Sequence, residues 1–214
     1  MAETAADIEI FNAPEPAIRE CETPPDITEL RASDRLVLAS DFANDFRVRR
    51  VIAYKLENVL DALPRNRTLI IYEAFRPRTR QWQLWNRTWA RFSTTYPDMA
   101  HKDLHALCAT LVADPGKAAG SGHQSAAAID TALGDAHGQM LDFGTAMQSF
   151  TAQTATCASD ISPEARHNRN MLLDIMHAQG LINYPAEWWH FSYGDRLWAQ
   201  VTGHETAFFG PVDA

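Results

Sequence analysis

Two polar clusters far apart in the chain hold residue types that can close around one metal ion. The first runs Ser121-Gly-His123-Gln-Ser-Ala-Ala-Ala-Ile-Asp130 and the second is Glu187-Trp-Trp-His190. His123, Asp130 and His190 offer two imidazoles and a carboxylate, with Glu187 left over. Three protein ligands leave a fourth position on Zn²⁺ open for water, which separates a catalytic site from a closed structural one. The spare carboxylate of Glu187 then suits the base that deprotonates that water. Alone, His123 and Asp130 read equally as a hydrogen-bonded structural pair. The Glu187–His190 pair and an arginine turn at Arg76 tip the balance to zinc.

The spacing constrains the backbone. His123 and Asp130 are seven apart, an odd offset that would put them on opposite faces of one straight strand. On one helix they would sit about 10 Å apart along the axis. The chain is therefore expected to bend between them, through the small run Ser125-Ala-Ala-Ala128, before a strand Ala128-Ile-Asp-Thr-Ala-Leu133. Glu187 and His190 need one tight turn after Pro185 to share a side.

Arg76 lies in Glu73-Ala-Phe-Arg-Pro77, after a short apolar run and before a helical pattern. It reads either as a surface arginine near a helix start, unhelpful to the dipole, or as a guanidinium aimed at a developing oxyanion. Glu73 either anchors Arg76 or faces the substrate. Trp82, Trp85 and Trp89 recur at helical spacing and read as a core stripe. His101 and His105 are four apart, like half of a metalloprotease helix motif, but Lys102 stands where the base would be, so a solvated helix face is expected. His137, His167, His177 and His204 have no metal-spaced partner. Trp188 and Trp189 are expected to pack beneath the site and keep it dry.

The elements that must position these groups follow from pattern. Arg49 to Leu63 is expected to be a helix stopped by Pro64, Thr68–Tyr72 a buried strand, and Pro77 to Thr94 a helix with proline in its first turn. A further helix runs from near Pro97 to Val112. Gln139–Phe143 is expected to pair with the Asp130 strand across a turn at Gly134–Gly138. Ser162-Pro163-Glu164 starts a helix ending before Gly180, and His190–Tyr193 is a last strand. Residues 1–35 read as an irregular, Pro-rich arm. Helices and strands mix without a βαβ rhythm, so the expected class is α+β, a single domain over 1–214 whose central, largely antiparallel sheet is flanked by helices.

Composition excludes other classes. The 214 residues suit one well-buried domain. A net charge of −8 without long Lys/Arg runs argues against nucleic acid as partner. No segment is apolar enough to span a membrane. The first residues are acidic where a signal peptide is basic, and Cys21, Cys108 and Cys157 read as free thiols, so a cytoplasmic location is expected. A homodimer is compatible with all of this.

The clusters resemble the zinc D-alanyl-D-alanine dipeptidases, whose hallmark is Ser-x-His-x-x-Gly-x-Ala-x-Asp followed by Glu-x-Trp-His. Here these are Ser121, His123, Ala128 and Asp130, then Glu187, Trp189 and His190. The Arg-Pro turn appears as Phe75-Arg76-Pro77, and the similarity runs from about Phe46 to Trp198. The resemblance implies one Zn²⁺ per chain held by His123, Asp130 and His190, Glu187 as general base then acid, and Arg76 steadying the tetrahedral intermediate. It implies that Ser121 contacts a small dipeptide substrate, D-Ala-D-Ala or a relative. It also implies the α+β zinc fold shared with murein D,D-carboxypeptidases and the hedgehog domain, and a role in cell-wall chemistry. Two positions depart from the pattern: Ala126 replaces the motif glycine, and Gln148 replaces an aspartate that helps hold the substrate ammonium. A murein-peptide carboxypeptidase of the same superfamily and a non-catalytic, zinc-stabilised binding module are the competing readings.

Overall fold

A computed structural model describes residues 16–19, 24–39 and 45–212. The architecture is α+β. Strands β1 (Ala17–Ile18), β2 (Ile27–Glu29), β3 (Leu36–Leu38) and β4 (Arg47–Arg49) precede helix α1 (Arg50–Ala62). Then come β5 (Thr68–Glu73), α2 (Arg78–Thr95), α3 (His101–Ala109) and β6 (Ala128–Gly134). Helix α4 (Pro163–Ala178), β7 (Ile182–Asn183), β8 (His190–Ser192), α5 (Arg196–Thr202) and β9 (Thr206–Ala207) complete the order.

The main sheet is ordered β3-β5-β6-β8-β7. Only β3 and β5 are parallel; the other three pairings are antiparallel. β6 is central, and all seven of its residues are buried. That explains its unbroken Ala-Ile-Asp-Thr-Ala-Leu-Gly run, since a strand covered on both faces shows no polar alternation. Helix α1 lays Ile52, Leu56 and Val59 into the core, the i, i+4, i+7 stripe of an amphipathic helix. It ends at Leu63, held extended (ψ 141°) as the residue before proline must be. Helix α4 is bounded at both ends. Ser162 Oγ accepts from Ala165 N–H, and Gly180 (φ 72°) closes a Schellman turn with Leu181 N–H to Met176 O and Gly180 N–H to His177 O.

Three expectations are corrected. Gln139–Phe143 makes only an isolated bridge, Gly134 to Met140. Asp142 diverts the chain: its carboxylate takes Gly144 N–H and Ser162 Oγ–H, and its carbonyl takes the Asn168 amide. The tryptophan stripe is core only in part. Trp85 is buried, but Trp82 is 42% exposed, because α2 pairs with α3 and not with the sheet. There His105 and His101 pack on Trp85 and Trp89, with ring centroids 5.0 and 4.7 Å apart, while His101 stays exposed and His105 half-exposed, as expected of a solvated helix face. The arm is not wholly irregular: β1 pairs with β9 and β2 with β4, while residues 1–15, 20–23 and 40–44 lie outside the described residues, Cys21 among them. Cys108 and Cys157 are free thiols. Among the described residues no helix is long and apolar enough to cross a membrane.

Candidate metal centre

The sheet places three acidic or imidazole groups in one row. β5 pairs with β6 through an irregularity between Ile71 and Glu73 that sets Glu73 opposite Asp130, and β6 pairs with β8 so that Asp130 faces His190. Directly opposed residues share a face. His123 reaches the same face because the chain reverses after it. Ser125 N–H bonds to Ser121 O, Ala126 N–H to His123 O and Ala127 N–H to Gly122 O. Ala126 completes the reversal in the left-handed region, at φ 56°. A glycine fits that conformation without cost, whereas alanine carries about 1–2 kcal/mol of strain there. The buried Arg49 guanidinium braces the turn, donating to Ser125 O and Gly210 O.

Three ligand atoms converge. His123 Nε2 lies 3.2 Å from His190 Nδ1 and 3.3 Å from Asp130 Oδ1, and His190 Nδ1 lies 3.1 Å from Asp130 Oδ1. Ligands about 2.0–2.1 Å from a tetrahedral Zn²⁺ stand roughly 3.3 Å from one another, so the triangle has the size such an ion needs. His123 Nδ1 sits 2.8 Å from Ala74 O. A carbonyl can only accept, so Nδ1 carries the proton and Nε2 turns its lone pair inward, the usual outer support of a ligating histidine. Among the described residues this is the one such group of three or more His, Cys, Asp or Glu.

Glu187 stands beside the triangle and lines the same cavity. Burial pushes its carboxyl up to about 7; the Asp130 charge adds to the rise, while His190, Arg76 and a hydrogen bond from Trp189 oppose it. Its turn is held by Glu187 N–H to Tyr184 O, His190 N–H to Glu187 O, and the Asn183 amide donating to both Glu187 O and His190 O. Trp188 and Trp189 are buried below, with Trp188 stacked on Phe143 at 4.2 Å.

Arg76 also lines the cavity. Its fork is held on two sides: Nε and Nη2 donate to the two oxygens of Glu73, at 2.9 and 2.5 Å, and Nη1 donates to Gln81 Oε1 at 3.0 Å. Glu73 is fully buried and also accepts from Arg80. Of its two readings, the anchor of Arg76 is the one this geometry supports. Ser121 lines the cavity beside His123, with its hydroxyl accepting from Gln124 N–H. Gln148 lines it too, at φ 54°, with Nε2 3.5 Å from Glu73 Oε2.

Sequence reasoning missed the groups that hold the machinery in place. Arg169 is buried and donates to the carbonyls of Phe143, Gln153 and Ala155, clasping the segment that carries Gln148. Burial and the neighbouring Arg166 bring its pKa down to about 10. Asp195 caps α5, taking Ser192 Oγ–H and Trp198 N–H on Oδ1. Its other oxygen lies against Gly122, where an added Cβ would fall 2.3 Å from Asp195 Oδ2 and 2.9 Å from Ala128 Cβ. Gly122→Ala is therefore expected to cost about 1–3 kcal/mol through overpacking and to weaken metal binding at the adjacent His123. Denaturant midpoints and metal titration measure both; an unchanged midpoint would show that Asp195 yields at no cost.

The sequence profile of the peptidase family described as D-ala-D-ala dipeptidase matches residues 50–206, a span that contains Glu73, Arg76, Ser121, His123, Asp130, Gln148, Glu187 and His190. The chain belongs to that family. Curated proteins named D-alanyl-D-alanine dipeptidase are similar to it. One from Escherichia coli is 32% identical over 123 residues, covering 58% of this chain and 53% of that protein. One from Synechocystis sp. is 36% identical over 88 residues, covering 36% of each. This family member thus spans about half or less of the curated relatives it matches. Among solved structures, "VanYB in complex with D-Alanine-D-Alanine" aligns at TM-score 0.47 and 19% identity, covering 74% of this chain and 77% of that one. A Zn(II) complex of the vancomycin-resistance D,D-pentapeptidase VanY aligns at TM-score 0.47 and 17% identity, covering 79% and 89%.

Proposed function

We propose that this chain is a zinc-dependent dipeptidase that hydrolyses D-Ala-D-Ala or a closely related short D-peptide. The convergence of His123 Nε2, Asp130 Oδ1 and His190 Nδ1 at 3.1–3.3 Å, beside an unligated Glu187, carries the reading. When bound, Zn²⁺ supplies a Lewis acid and lowers the pKa of a water at its open position. Glu187 takes the proton of the attacking water and returns it to the leaving amine. Arg76, preset by Glu73 and Gln81, donates to the oxygen on which charge develops. Trp188 and Trp189 keep the floor dry, so both charges act at full strength. Ser121 and Gln148 line the space where the peptide's polar ends would lie. Free Cys108 and Cys157 suit a reducing compartment, and with it a small cytoplasmic substrate in place of assembled wall.

His123→Ala, Asp130→Ala and His190→Ala are each expected to lose bound zinc, since each removes one of three ligands. Elemental analysis after dialysis reads this, against one zinc per wild-type chain. Full zinc in any variant removes that residue from the set. Release of alanine from D-Ala-D-Ala, abolished by a chelator and restored by zinc, tests the reaction; zinc-loaded protein that turns over no short D-peptide would overturn it.

A further inference from the structure

The loop that carries His123 is held from outside the span that the family profile matches. Three successive carbonyls between His123 and Ala127 are each taken by a distant donor. Gln124 O accepts from Val212 N–H at 2.8 Å, Ser125 O from Arg49 Nε–H at 2.9 Å, and Ala126 O from Arg49 N–H at 2.8 Å. Arg49 also joins the two holds. Its Nη2 donates to Gly210 O at 3.1 Å, and its guanidinium lies over the Phe209 ring at 4.6 Å. The segment after β9 is pinned in turn. Phe208 and Phe209 N–H both bond to Gly194 O. Pro211 sits so close to Gly120 that an added Cβ there would fall 2.7 Å from Pro211 Cγ. Arg49 precedes the first residue of the family match, and Phe208 to Val212 follow its last.

These holds converge on a residue with a backbone cost. Ala126 stands at φ 56°. A side chain is strained in that region, and strain persists only where the surroundings over-determine it. The bonds inside the loop, from Ser125, Ala126 and Ala127 N–H back to Ser121, His123 and Gly122, close the reversal but join residues that would move together if Ala126 relaxed. Arg49 and Val212 fix the reversal to the rest of the fold. The loop must deliver His123 Nε2 to 3.2 Å from His190 Nδ1 and 3.3 Å from Asp130 Oδ1, and metal–ligand distances tolerate only about ±0.2 Å.

We propose that Arg49 and the segment Phe209–Val212 are positioning groups that hold the Ala126 turn and so keep His123 poised for the metal. A glycine at that position, as in the family motif, makes the turn without strain. This chain carries alanine there and supplies the hold from Arg49 and the segment after β9. The inference rests on the metal reading of His123, Asp130 and His190, and it makes ion affinity depend on Arg49 and Val212, which are not ligands.

The test titrates zinc against a competing chelator, below the melting temperature of each metal-free variant. Arg49→Gln, and separately removal of residues 211–214, are each expected to weaken zinc binding about ten- to hundredfold, the usual effect of losing a group that orients a ligand. Ala126→Gly added to either change is expected to recover most of the loss, because glycine takes the left-handed conformation without a hold. That gain should exceed the gain from Ala126→Gly in the wild-type chain, the mark of coupled positions. Cobalt(II) in place of zinc reads the ligand geometry, which general destabilisation would not move: its visible bands should change with Arg49→Gln and return with Ala126→Gly. If Arg49→Gln does not fold, the truncated chain decides. Unchanged zinc affinity in either folded variant overturns the positioning role, as does a gain from Ala126→Gly that is equal in all backgrounds. A wild-type chain that binds no zinc overturns the metal reading and this inference together. The expected pattern without turnover of any short D-peptide leaves the positioning role standing and removes the peptidase reading.

Discussion

Glu187→Ala is expected to keep its zinc and lose about 10²–10⁴-fold in kcat, the usual worth of a positioned proton-transfer group. The three convergent ligand atoms belong to His123, Asp130 and His190, so removing Glu187 leaves the metal triangle intact. What disappears is the carboxyl whose burial holds it up to about 7, well placed to accept a proton near neutrality and give it back. One residue is asked to act twice, on water and on the leaving amine, so the loss should lie towards the upper end of the range. Glu187→Gln keeps the shape and hydrogen bonding of the site and should be nearly as inactive, which separates chemistry from packing. Near wild-type kcat in either variant would mean that another group is the base.

Arg76→Lys is expected to lower kcat by about 10²–10³-fold with zinc content unchanged. The exchange looks conservative and is not. Nε and Nη2 bind both oxygens of Glu73 while Nη1 binds Gln81, a planar, three-point hold that a lysine ammonium cannot reproduce. Lysine also leaves the buried Glu73 with one good partner, Arg80, in place of two. Because the interaction with substrate strengthens only as charge develops, kcat should fall much more than KM rises. A raised KM with kcat intact would assign Arg76 to a ground-state group such as the peptide carboxylate.

Much of this was legible in the sequence because the informative groups announce themselves by type and spacing. His123 and Asp130 needed a bend, and the Ala-rich run supplied it. The motif position occupied by Ala126 does carry the positive φ that glycine favours. The helix from Ser162 is written in local capping chemistry, and the structure places its start and stop as that chemistry requires. What stayed hidden is long-range. Arg49 holds a carbonyl 76 residues away, Arg169 one 26 residues away, and Gln81 one 32 residues away. A side chain that satisfies a distant backbone oxygen leaves no periodic trace. The tryptophan stripe misled for a related reason: helical spacing reports a shared face but not what covers it, and here the cover is α3, not the sheet. Residues 139–143 had strand composition, yet side-chain capping by Asp142 outcompeted the ladder.

The Arg169 clasp decides how far the segment that carries Gln148 can move. One guanidinium ties Phe143 O, near one end of the Gln148 segment, to Gln153 O and Ala155 O at the other. Raising that segment would strand a buried cation away from all but one of its acceptors, leaving only the 3.4 Å contact to Thr156 O, a cost of several kcal/mol. It is therefore not a lid. Under the proposed function, Gln148 would stand already in position, and closure of this segment over a peptide would add no step.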